Sequence, residues 1–140
     1  MYLFINNLDQ DKIFLAIFKR PASKEATYLI LPKKQDRSES ILKGLNQLFK
    51  KANQSVKNIK GLIVVNGPGS FTGIRVALSI ANTIAWQLKI PVVGISLNKG
   101  KDNQTLIKAG WSKLLKTNSS RLVRPFYGQK PNITKSKVTC

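Results

Sequence analysis

The chain contains no histidine, one cysteine, one methionine and only six aspartates and glutamates in 140 residues. Each shortage removes chemistry. Without histidine there is no Ser-His-Asp triad, no His-ligated zinc and no imidazole general base. Paired carboxylates are scarce: Asp9 and Asp11 fall in a predicted hairpin turn, and Asp36 and Glu39 flank a predicted helix start. Acids at such places ordinarily form turns and caps, which makes them poor candidates for a catalytic metal. Cys140 is the last residue and has no partner for an internal disulfide, so a reducing cytoplasm is the expectation. Long apolar runs are missing too. Arg75, Asn82 and Lys89 interrupt the best candidate before it reaches the roughly 18 residues that a membrane span needs. No basic region precedes the N-terminal apolar stretch and no small-residue cleavage site follows it, so no export signal is expected.

What remains is a folded-protein composition with a lopsided charge. Apolar residues make up 42% and charged residues 21%, enough for one domain with a real core. Lysine and arginine number 24, giving a formal charge of +18. Residues 99–140 carry ten basic side chains against Asp102, and residues 33–60 carry eight against two acids. Residues 67–98 hold only Arg75 and Lys89. A field this positive attracts polyanions, and it is equally the field of a plain solvated basic surface.

Residues 2–6 and 12–20 read as a hairpin around the turn at Asn6–Asp11, and 25–32 as a third strand stopped by Pro32. Ser38 is placed as the cap of a helix in which Ile41, Leu42, Leu45, Leu48 and Phe49 recur at helical spacing to about Ala52. Ile59–Val65 is a continuous apolar strand, 72–88 a second helix and 91–95 another buried strand. The order βββαβαβ describes an α/β fold with a hairpin-led mixed sheet. After Leu97 comes a polar linker, an apolar-faced helix near 105–116 and a basic tail. The boundaries expected are 1–98 for an α/β lobe and 99–140 for a basic appendage.

Between strand and second helix lies Gly67-Pro68-Gly69-Ser70-Phe71-Thr72-Gly73. It is not a Walker loop, because Ile74 and Arg75 follow where Lys and Ser or Thr belong, nor does it have dinucleotide spacing. Two readings stay open on spacing alone. Bare amides at the helix start, with Arg75 nearby, suit an anion. Alternatively Gly69 supplies a positive φ, Pro68 fixes the turn, and Ser70 or Thr72 caps the helix.

The stretch "GPGSFTGIRVALSIANTIAWQLKIPVVGISL" strongly resembles the signature of the TsaB family of tRNA threonylcarbamoyladenosine biosynthesis proteins. "DRSESILKGLNQLFKKANQSVKNIKGLIVV" is similar to that family's first helix and the strand before the motif, and "PFYGQKPNITK" to its closing segment. The resemblance is strong over 28–98 and weak over 1–27 and 105–137. It implies the RNase H-like lobe of the actin-like ATPase (ASKHA) superfamily, with the helix near 105–116 and the tail as a reduced second lobe. It also implies a non-catalytic scaffold rather than an enzyme, with no cofactor or metal of its own. The family's first-lobe helices pack against TsaD, the related catalytic subunit, which works with the ATPase TsaE to transfer threonylcarbamoyl to N6 of a tRNA adenosine. Where relatives begin with an Ile-Asp-Thr strand end, this chain has Ile5-Asn6-Asn7. Loss of the carboxylate argues against tight ATP binding.

The second helix is apolar nearly all round, and its polar line is Arg75, Ser79, Asn82 and Trp86. These four are the expected partner interface, with Trp86 as anchor; the other reading is that Trp86 packs in the core. The candidate partners are a TsaD-type subunit, a TsaE-type ATPase, tRNA through the complex, and a second copy when the partner is absent. Lys113, Lys116, Arg121 and Arg124 are the candidate RNA contacts, with Phe126 and Tyr127 as stacking groups in an alternative reading as an independent RNA-binding module.

Overall fold

The computed structural model describes residues 1–8, 12–21, 25–32, 37–69, 71–99, 102–117 and 122–125. Five strands form one sheet: β1 (Tyr2–Asn6), β2 (Lys12–Phe18), β3 (Thr27–Pro32), β4 (Gly61–Gly67) and β5 (Val92–Ser96), in spatial order β3-β2-β1-β4-β5. Strand β1 is antiparallel to β2 (Tyr2 opposite Phe18) and parallel to β4 (Tyr2 opposite Gly61), so the sheet is mixed. Helices α1 (Arg37–Ala52), α2 (Phe71–Leu88) and α3 (Asn103–Leu115) connect or follow the strands. This is the expected α/β lobe with the RNase H-like strand order.

Two faces are covered by different parts of the sequence. The apolar runs of β1 and β4 are continuous because both of their faces are covered, and Leu3, Phe4, Ile5 and Leu62 through Val65 have no exposed surface. Helices α1 and α2 lie side by side on one face. There α1 seats so closely on β2 and β3 that a Cβ added at Gly44 would overlap Leu31. Helix α3 covers the other face, with Gly110 against Ile63 in the same close manner. That face is aromatic: Tyr2 stacks edge-on against Trp111 at 4.6 Å, and Phe18 and Phe14 extend the cluster toward Tyr28. The helix near 105–116, expected as an appendage, thus completes the core of the lobe through Leu106, Ile107 and Leu114.

Two local readings change. Helix α1 begins at Arg37, so Ser38 lies in its first turn rather than at the cap position. Asp102, not singled out as a cap, is the N-cap of α3, its carboxylate accepting from the Thr105 amide at 2.7 Å. That hydrogen bond is the leading cause holding the Asp102 carboxyl below its ordinary range. The turn acids Asp9 and Asp11, and Asp36 ahead of α1, lie outside the described residues. No helix among the described residues is long and apolar enough to cross a membrane.

Candidate functional site: the glycine loop, the outer face of helix α2 and the cleft beside β5

The loop begins inside β4, where pairing with β5 shifts register between Val65 and Gly67. Gly67 has φ 139, a conformation that side-chain-bearing residues rarely adopt. In the turn reading of the loop, Gly69 supplies the positive φ. Among the described residues Gly67 is the glycine that does, because the chain must leave the sheet there to enter α2. Gly69 instead lies against Leu8, where an added Cβ would make ordinary contact at 3.4 Å. Thr72 is already inside the helix rather than capping it, and Ser70 falls outside the described residues.

Two asparagines at the end of β1 fix what surrounds the loop. The Asn7 amide, fully buried, donates to the Gly73 carbonyl at 3.1 Å and ties the first turn of α2 to the sheet. Asn6 donates through Nδ2 to Asn103 Oδ1 at 2.8 Å, at the start of α3, while its Oδ1 accepts from the Leu8 amide. The position where the resemblance expects a carboxylate is therefore built into the joint between β1 and α3. The loop's observed contacts are those of a turn that seats a helix. Among the described residues no three Asp, Glu or Cys lie close enough to hold a metal.

Helix α2 buries Ile74, Ala77, Leu78, Ala81 and Ala85 against the sheet. Arg75, Ser79 and Trp86 face outward together, and Trp86 is 71% exposed, the most open large apolar side chain among the described residues. Asn82 does not join them. It is half-buried and spans the backbone of Val123, donating from Nδ2 to the carbonyl at 3.0 Å and accepting from the amide at 2.9 Å. Thr83 takes its place in the outer line and satisfies its hydroxyl on the Ser79 carbonyl. Leu42 on neighbouring α1 is also exposed, at 56%.

On the other side of Asn82 a cleft runs beside the edge strand β5, lined by Asn66, Gly94, Lys113, Thr117, Val123 and Arg124. Asn66 donates to the Arg124 carbonyl at 3.0 Å, so two asparagines hold the 122–125 backbone. Lys113 reaches across to the Gly94 carbonyl at 2.9 Å, an acceptor on the edge strand. Of the four candidate RNA contacts, Lys113 and Arg124 thus meet in one cleft, Lys116 is exposed at the end of α3, and Arg121 lies outside the described residues. Phe126 and Tyr127 lie outside them as well. The sequence reading missed Asn66 and the backbone-holding role of Asn82. No local pattern marks either, because each acts on a segment 41 or more residues away.

Comparison with known proteins decides the family. Residues 23–106 match the model of the TsaD family, described as tRNA N6-adenosine threonylcarbamoyltransferase. The chain belongs to that family, on its TsaB side. TsaB of Bacillus subtilis (strain 168) is 31% identical over 70 residues, covering 50% of this chain and 29% of the relative. TsaB of Buchnera aphidicola subsp. Schizaphis graminum is 35% identical over 63 residues, covering 45% and 30%. The fold matches YeaZ from Pseudomonas aeruginosa with a TM-score of 0.60 at 20% identity, covering 68% of this chain and 43% of that one. The aligned part is under a third of each of these TsaB relatives' length.

Proposed function

We propose that the chain is a non-catalytic scaffold subunit in tRNA threonylcarbamoyladenosine biosynthesis, pairing with a TsaD-type subunit through α1 and α2. The observation that carries this reading is the outer face of α2, where Trp86 stands 71% exposed beside Arg75 and Ser79. Isolated tryptophans are costly to leave in water, and Trp and Arg dominate binding energy where interfaces form. Small Ser79 and the half-buried Val76, Ile80 and Ile84 allow another helix to approach closely. The family match supplies the kind of partner. The chain has no histidine, whereas TsaD-type catalysis uses metal-binding histidines, which favours the scaffold over the transferase.

In this reading α1 and α2, within residues 1–98, carry the pairing face, and α3, within 99–140, closes the other face of the same sheet. A TsaE-type ATPase and tRNA then join through the assembly. The test is co-expression with a TsaD-type subunit and capture at high salt. An apolar contact centred on Trp86 survives salt, whereas purely electrostatic association fades steeply. A second reading, an independent basic RNA-binding module, is favoured by the +18 charge alone. It is sustained if tRNA is bound without the subunit and no pairing occurs.

A further inference from the structure

Strand and helix directions gather charge at one end of the molecule. Strands β1, β4 and β5 are parallel, and each helix runs back against them. Helix α3 shows this directly, starting beside Asn6 at the end of β1 and finishing with Leu114 beside Gly61 at the start of β4. The base of the sheet therefore holds the beginnings of β1, β4 and β5, the end of β2 and the C-termini of all three helices.

The base is crowded with cations. Tyr2 is opposite both Phe18 and Gly61, so Lys19 and Lys60 flank Met1 on either side across adjacent strands, which lie about 4.8 Å apart. The Lys60 amide also donates to the Met1 carbonyl at 2.7 Å, fixing that neighbourhood. Lys57 projects from the short 3-10 turn (Val56–Asn58) just before β4. Lys50 and Lys51 end α1, and Lys116 caps α3. Among the described residues the acid at this end is Glu25, paired with Lys19 at 2.9 Å. Asp102 and Glu39 sit at helix starts, at the opposite end. Burial first, then the neighbouring Lys60 and Lys19, lower the Met1 amine pKa. Such crowding works against folding unless an anion relieves it. Alongside runs a groove of mixed lining, with Asn46, Lys50, Asn53 and Ser55 beside the apolar Phe49 and Val56.

We propose that this base, with Lys19, Lys57 and Lys60 at its centre, binds the phosphate backbone of a folded RNA, and that the groove beside it takes the adjoining ribose hydroxyls. The inference rests on the proposed role in tRNA modification but places the contact away from the tail and the β5 cleft. Lys19 and Lys60, two strand spacings apart on either side of Met1, with polar side chains beside them, suit an extended anion better than a single small one. Contacts of this kind fix position without reading bases.

The test uses the full chain and an unmodified tRNA transcript, with affinity measured across a series of KCl concentrations. The combined variant Lys19→Gln, Lys57→Gln, Lys60→Gln should lower the slope of log K against log salt by about 2 to 3, close to one unit per lost phosphate contact. A control removing the same charge elsewhere, Lys12→Gln, Lys43→Gln, Lys108→Gln, should change the slope by less than about 1. Thermal melting of the base variant should be unchanged or higher, separating lost binding from lost folding. An unchanged slope in the base variant, or an equal loss in the control, overturns the proposal. Capture of a TsaD-type subunit at high salt is read separately. A chain that fails there but keeps the lysine-dependent slope contradicts the scaffold reading and supports the RNA surface.

Discussion

The side chain of Asn82 pairs with the backbone of Val123 as another strand would, giving one hydrogen bond of 3.0 Å and taking one of 2.9 Å. This joins the middle of α2 to a segment 41 residues later and closes the chain over the β5 side of the lobe. Asn82→Ala removes both bonds and leaves a partly buried amide and carbonyl unpaired. The expected cost is about 1–3 kcal/mol of stability. Hydrogen exchange should show the Val123 amide losing protection while the Ile63 and Val64 amides in the central strand keep theirs. Equal loss at all three amides would mean that the segment is integral to the core.

Gly67 and Gly69 separate conformational need from packing. Gly67→Ala forces a side chain into φ 139 and should destabilise by about 1–3 kcal/mol. Gly69→Ala meets only Leu8 at ordinary contact distance and should shift the melting temperature little. Urea midpoints of the two variants check this. The opposite ranking would restore Gly69 as the hinge of the loop.

Much of this architecture was legible in the chain because its signals are local. The Tyr2–Asn6 strand, the apolar run into β4, the helical spacing of α2 and the stop at Pro32 each follow from neighbours within a few residues. Helical spacing leaves Trp86 open between an outer anchor and a core side chain, and in the fold it is exposed. What was not legible depends on distant groups. By spacing Asn82 belongs to the outer line, and only the distant Val123 backbone draws it in, while Thr83 faces outward with its hydroxyl on the Ser79 carbonyl. Gly67 and Gly69 are equivalent by spacing, and only the exit angle from β4 distinguishes them. Helix α3 read as an appendage because nothing local shows that Gly110 is small in order to sit on Ile63.

Asp102 gives the fold a defined acid response. The Thr105 amide holds its carboxyl below the ordinary value of 3.8, so the folded state favours the ionised form. A depressed folded-state pKa contributes stability above the unfolded value, and that stability is lost as pH falls through the lower folded value. Wild type should therefore melt higher than Asp102→Ala near neutral pH, and the gap should close below about pH 4. Asp102→Asn keeps an acceptor for the cap and should show a gap that is smaller near neutral pH. A gap between wild type and Asp102→Ala that persists unchanged at acid pH would remove the carboxylate from this role.

The central claim, pairing through the outer face of α2, is tested most directly by sedimentation of the chain with a TsaD-type subunit. Wild type should form a complex that persists at high salt. Trp86→Ala should weaken it by about 2 kcal/mol or more, and Ser79→Arg further, since a bulky charge would stand where two helices meet. Both variants should melt as wild type does when alone, because Trp86 and Ser79 are exposed in the isolated chain. A Trp86→Ala chain that binds with undiminished affinity would contradict the account.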